Sequence, residues 1–428
     1  MDKHKINYTH TYKGIVVQLL LSVVLFANCE HVGFNLNSVD LQPTQEEGEE
    51  RVTKRRRITS DEQEDMGLVE QLEIGFVGLP IELQAYILSF LDPKNFHRAS
   101  LVCQGWRDAA FIAGEEKTLD LSGQKLDKKD CQVLLQVPFS SLVLTGCQLG
   151  DQETLILSQT TRIKHLDLYN NRIDATGVQA LASGNLTVLT SLNLNINRIG
   201  EAGAQALASG NLAALTSLNL LGNSIGNAGA QALANGNLTV LTSLNLNSNG
   251  IREAGTQALA SGNLAALASL NLGNNHINDA SAQDLASGKL VTLTSLDLGW
   301  NSIGEAGAQA LANGNLATLT SLNLGNNHIN DASAQALSSG KLSALTSLNL
   351  EYNRIGGLGA QSLASGNLTM LTSLNLYHNS IGAAGAQALA SGNLSALTSL
   401  DLRYNRIDEE DESALIAWAK KKFIKLDL

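Results

Sequence analysis

The sequence predicts an α/β solenoid of 26-residue repeats, with short strands in a parallel inner sheet and helices outside, preceded by a small all-α domain. Three observations carry this. Asn171, Asn197, Asn223, Asn249, Asn275, Asn301, Asn327, Asn353, Asn379 and Asn405 follow one another at an unbroken spacing of 26 residues, a period typical of stacked supersecondary units. Within each repeat the leucines change period. Leu192 and Leu194 alternate with Ser191, Asn193 and Asn195, as in a strand with one buried face, and Ala204, Leu207 and Ala208 then fall on one face of a helix over Glu201 to Ser209. Finally, all four prolines precede Phe139, which leaves the rest of the chain free for continuous strand ladders.

The helix of each repeat is expected to stop at a glycine, Gly210 here, which recurs from Gly184 to Gly392. Small residues such as Gly203, Ala204 and Ala206 let neighbouring helices approach closely. Helices about 10 Å across packed outside strands about 4.8 Å apart make the stack curve with its strands on the concave side. The repeated asparagine is expected to be structural, its amide pairing with backbone groups that the turn leaves open. Leu121, Leu144 and Leu168 are spaced 23 and 24 apart, so the first turns are irregular, and Leu426 and Leu428 supply a last strand, the thirteenth, after a helix with acids at its start and Lys420 to Lys422 at its end. Trp418 is expected to cover the final core. The phrase L-x-x-L-x-L-x-x-N-x-I is the leucine-rich-repeat one, so residues 116–428 are identified as a leucine-rich-repeat domain of horseshoe form.

Composition narrows the function. The net charge of −11 argues against a nucleic-acid partner, which would want a basic face. Cys29, Cys103, Cys131 and Cys147 show neither metal spacing nor a paired framework, which reads as a reducing working environment. His276 and His328 occupy equivalent positions two repeats apart, roughly 10 Å, too far to share one zinc. They belong instead to a copied two-repeat unit, since LGNNHINDASAQ begins at Leu272 and again at Leu324. Nucleophile elbow, phosphate loop and H-E-x-x-H motifs are absent from the sequence, so neither a catalytic role nor a cofactor or metal is expected.

Ahead of the repeats, residues 1–29 read as a leader. Lys3, Lys5 and Lys13 precede an apolar run from Ile15 to Ala27, short for a membrane span but suited to a secretory signal. The run ends in Leu25-Phe26-Ala27-Asn28-Cys29, which resembles a loose lipobox, although Asn28 departs from the small residue expected before the cysteine. Contact with a membrane is expected only through this leader or a lipidated Cys29. Residues 30–75 form a charged linker in which Lys54 to Arg57 is either a balanced part of the tether or a nuclear-import patch.

Residues 76–112 are the second informative stretch. Leu79-Pro80 opens a helix whose apolar face is Leu83, Ile87, Leu88 and Leu91, Asp92-Pro93 breaks it, and Leu101, Val102 and Trp106 mark further short helices. So small a domain cannot bury all of these side chains internally and is expected to need a partner. The Leu79-Pro80 opening, the Ile87-Leu88-Ser89-Phe90-Leu91 core and the Ser100 to Arg107 ending are similar to an F-box. That resemblance implies docking onto the Skp-type subunit of a cullin-RING ubiquitin ligase, with Leu79, Pro80, Leu83, Ile87, Leu91 and Trp106 as contacts. Gln104 and Gly105 depart from the pattern, since a basic residue more often precedes the tryptophan.

Because the repeats are near copies, specificity is expected where they differ. Between the second strand leucine and the asparagine, aromatic and charged residues gather late in the chain: Trp300, Glu351, Tyr352, Tyr377, His378, Arg403 and Tyr404, joined by Arg354 and Arg406 after the asparagine. These residue types anchor protein interfaces, so they are the candidate surface for a target protein. An F-box followed by repeats with the GAQALA phrase (Gly203 to Ala208) resembles the GALA class of bacterial effectors, which implies a substrate adaptor delivered into a eukaryotic host cytoplasm. The alternative is a bacterial surface lipoprotein that uses the horseshoe for adhesion.

Overall fold

A computed structural model describes residues 118–135 and 139–428. The leader with Cys29, the linker with Lys54 to Arg57, and the F-box-like stretch with Leu79, Pro80, Leu83, Ile87, Leu91 and Trp106 lie outside the described residues. Among those described, the chain alternates strand and helix: β1 (Thr118–Asp120), α1 (Lys128–Leu134), β2 (Ser141–Val143), α2 (Asp151–Leu157), β3 (His165–Asp167) and α3 (Ala175–Ser183). From β4 (Ser191–Asn193) and α4 (Gly200–Ser209) the pair recurs to β12 (Ser399–Asp401), and α12 (Glu409–Lys422) and β13 (Lys425–Asp427) close the series. The thirteen strands form one parallel sheet in sequential order, as expected.

The register follows from the leucines. The central residue of each strand pairs with its copy in the next, Leu192 with Leu218 and Leu348 with Leu374, and each of these side chains is buried. The flanking strand residues remain half-exposed on the other face. Polar residues thus cover one side of the sheet, and a continuous column of leucine, isoleucine and alanine fills the space between sheet and helices.

The asparagines act as expected. Asn223 is buried, and its Nδ2 donates to the carbonyls of Leu194 (2.8 Å) and Leu220 (3.0 Å) while its Oδ1 accepts from the Asn197 N–H (3.2 Å). One side chain thereby joins two successive repeats through groups that no strand or helix satisfies.

The helix-ending glycine has a different reason from the expected one. Gly210 sits at φ −80°, in extended backbone open to any residue, and not in the left-handed conformation of a glycine cap. It is required by crowding, because a Cβ there would lie 2.6 Å from the Ala182 carbonyl oxygen of the preceding repeat.

The two-repeat unit also has a structural basis. Asn278 caps its own helix by accepting from the Ser281 N–H at 2.9 Å. The next residue, Asp279, reaches forward one repeat and accepts from the Gly304 and Gly307 N–H groups at 2.7 and 3.0 Å. The helix Glu305–Asn313 has no side-chain cap of its own, so the preceding repeat supplies it. Asp331 repeats the arrangement toward Gly356 and Gly359.

At the far end Asp408 caps α12 by accepting from the Asp411 N–H, and Phe423 ends it in left-handed backbone. Trp418 is half-buried there, and its indole N–H is buried without a hydrogen-bond partner among the described residues. Among the described residues no helix is long and apolar enough to cross a membrane.

Candidate functional site

The residue immediately before each asparagine adopts positive φ in every one of the ten strict repeats, from +48° at Tyr352 to +68° at Gly222. This conformation suits glycine and asparagine and costs other L-residues roughly 1–2 kcal/mol. Asn170, Gly222, Asn274 and Asn326 fit it. Ile196, Ser248, Trp300, Tyr352 and Tyr404 fit it less well, and the three aromatic ones lie late in the chain. The sequence offers no direct signal of this, because the ten occupants are of seven residue types.

Four of these late residues meet. Tyr352 stacks on His378 with centroids 4.6 Å apart and meets Tyr377 edge-on at 5.1 Å, and Tyr377 in turn meets Tyr404 edge-on at 5.2 Å. The Tyr352 and Tyr377 hydroxyls share a hydrogen bond at 3.4 Å, and this bond raises the Tyr377 pKa above the ordinary phenol value. Arg403 lies over the Tyr377 ring at 5.2 Å from its centroid and donates through Nε to Asp401 at 3.0 Å; that partner raises the guanidinium pKa further. Tyr404 is 70% exposed and Tyr352 40% exposed, so the cluster presents its rings to solvent.

The remaining candidates are arranged differently. Glu351 borders the cluster, its carboxylate accepting from the Asn375 amide at 2.9 Å. Trp300 stands two repeats away, 62% exposed and without a ring partner among the described residues. Arg354 and Arg406 are exposed on the turn beyond the asparagine, and among the described residues their side chains form no ion pair or hydrogen bond. The cluster is therefore Tyr352, Tyr377, His378, Arg403 and Tyr404, with Glu351 at its edge and Trp300 as an outlier.

Sequence reasoning named Glu351 but passed over the aspartates within the strands. The third strand residue is asparagine in most repeats but aspartate at Asp120, Asp167, Asp297, Asp401 and Asp427. Asp297 is held between the amides of Asn271 (3.2 Å) and Asn323 (2.9 Å), and burial raises its pKa. The available signal was the change from SLN to SLD within otherwise copied strands.

Cys131 and Cys147 are buried free thiols, and burial pushes the Cys131 thiol up to about 12, so it is not poised for nucleophilic chemistry. Among the described residues no group of His, Cys, Asp or Glu is placed to hold a metal ion. The arrangement provides rings, amides and carboxylates for contact with another molecule.

Comparison with known proteins agrees with this architecture. The F-box-like family matches residues 76–113, and the Leucine Rich repeat family matches nine segments from 161–182 to 367–390. The solved structure of an internalin from Listeria monocytogenes is similar, with 27% identity and a TM-score of 0.51 over 74% of this chain and 88% of the internalin. A leucine-rich-repeat protein of Leptospira interrogans aligns over 75% of this chain and 92% of its own, with 18% identity and a TM-score of 0.39. No curated protein matches the sequence. The chain belongs to the proteins that carry an F-box-like domain followed by leucine-rich repeats.

Proposed function

We propose that this protein is a substrate-recruiting adaptor of a Skp-cullin-F-box ubiquitin ligase. The observation that carries the reading is the order of its modules: an F-box-like domain at 76–113 directly ahead of a repeat domain whose variable residues gather into one exposed aromatic cluster. Both modules are of kinds that bind other proteins. Leu79, Pro80, Leu83, Ile87, Leu91 and Trp106 would hold the Skp-type subunit, the sheet face would hold a target protein, and ubiquitin would be transferred by other subunits. The leader at 1–29 taken with the F-box supports export from a bacterium into a host cytoplasm, as in the GALA-type effectors that the GAQALA phrase resembles.

Pull-down of the full chain with a purified Skp-type subunit tests this. The wild-type chain should be retained, and Leu83→Ala combined with Trp106→Ala should lose at least tenfold in affinity, because two apolar anchors are removed. Equal retention of both, or of neither, would refute the adaptor. Incorporation of labelled palmitate at Cys29 together with no retention would favour the surface-lipoprotein reading.

A further inference from the structure

The charges on the sheet face do not balance. Its cations are engaged internally: Arg403 by Asp401, and Lys425 by Asp427 at 3.2 Å. Asp167, Asp297 and Glu351 have no cationic partner among the described residues. Each is held in place by neutral amides, from Asn193 (3.0 Å) for Asp167, from Asn271 and Asn323 for Asp297, and from Asn375 for Glu351. An amide fixes a carboxylate without cancelling its charge.

Two of these carboxylates lie along the aromatic strip. Asp297 is three residues before Trp300 in the same repeat, and Glu351 immediately precedes Tyr352. The strip therefore combines exposed ring faces with fixed, uncompensated negative charge, which is the chemistry that recognises cations. Trp300 is the most telling member, since it takes the disfavoured left-handed backbone and has no ring contact among the described residues to offset it. Trp300 and Tyr352 are two repeats apart, about 10 Å, close to the span of three residues of extended chain. Arg354 and Arg406 lie beyond the asparagine, outside the row of residues that carries Asp297 and Glu351.

Building on the adaptor reading, we propose that the strip from Trp300 to Tyr404 binds a basic, extended segment of the target protein, seating lysine or arginine side chains against the Trp300 and Tyr352 rings and the Asp297 and Glu351 carboxylates.

The test uses the full chain and fluorescein-labelled peptides of one length in a glycine-serine background, carrying lysine and arginine, glutamate, or neither at every third position. Fluorescence anisotropy should show the basic peptide binding at least tenfold tighter than the other two, with affinity falling as salt is raised. Trp300→Asn with Tyr352→Asn, and separately Asp297→Asn with Glu351→Gln, should each weaken it at least tenfold without lowering the thermal midpoint. Glu201→Gln with Glu253→Gln, which removes two charges from the outer helices, should leave it within twofold. The proposal is overturned if the acidic or neutral peptide binds as tightly, or if basic-peptide binding survives both strip variants. Retention by the Skp-type subunit is read on the same proteins. Its loss with basic binding intact refutes only the adaptor, and its survival without a basic preference refutes only this assignment.

Discussion

Two columns of residues run along the solenoid one position apart. The asparagine column is the same in ten repeats and buried in nine of them, each amide joining backbone groups of successive turns. The column before it carries asparagine, isoleucine, glycine, serine, tryptophan, tyrosine and histidine, all in left-handed backbone. Repetition occurs where unpaired backbone groups leave no alternative, and variation occurs where the side chain faces solvent. Within the variable column, residues that suit the backbone need no further explanation. Those that oppose it are Ile196, Trp300, Tyr352 and Tyr404, and the last three lie together on the strip proposed to bind the target.

The difference between the columns can be tested by substitution. Asn301→Ala strips partners from the Leu272 and Leu298 carbonyls and from the Ile277 N–H, bonded at 3.0 Å each, and is expected to cost about 2–4 kcal/mol. Asn326→Ala, the same change in the neighbouring column, should cost only about 1–2 kcal/mol, the strain of an alanine at φ +57°. Urea denaturation of the two variants should separate them clearly; equal losses would mean that the columns are not physically distinct.

Trp300→Asn has the opposite expected sign. It replaces a strained, exposed ring with a residue suited to φ +57° and should stabilise the solenoid by about 1 kcal/mol. A loss of stability would show that the ring is held by the protein itself.

The smallest effect is expected at Asp297. Burial raises its folded pKa above the ordinary carboxylate value of about 3.9, so the folded chain binds the proton more tightly than the unfolded chain. Its favourable contribution is therefore present below that ordinary value and is lost as pH rises through the folded pKa. Asp297→Asn should be slightly more stable than wild type at pH 7, by less than about 1 kcal/mol, and should lose this advantage on acidification. Urea midpoints across this range check the sign.

Much of this architecture is legible in the sequence because the same physics is repeated. Ten spaced asparagines and the alternation of Leu192 and Leu194 with polar residues imply the sheet, its order and its strand count. Features that depend on contacts between repeats are not legible. Gly210 looks like a left-handed helix stop, yet it is excluded from carrying a side chain by Ala182, 28 residues earlier. Asp279 looks like a surface acid at a helix start, yet it caps the helix of the following repeat. The candidate site was partly visible as aromatic residues gathered late in the chain. That Tyr352, Tyr377, His378 and Tyr404 touch while Arg354 and Arg406 stand apart depends on distances across the sheet, which periodicity does not give.

The central claim is that one chain holds a ligase subunit at one end and a target on its sheet face. It is tested most directly by immobilising a Skp-type subunit, adding the full chain and eukaryotic cytosol, and identifying the proteins retained. The account predicts proteins retained with wild-type chain that disappear with Leu83→Ala plus Trp106→Ala, where the chain itself is lost, and with Trp300→Asn plus Tyr352→Asn, where the chain remains bound. Retention of the same proteins by wild type and the Trp300→Asn plus Tyr352→Asn chain, or failure of the wild-type chain to bind the subunit, would contradict it.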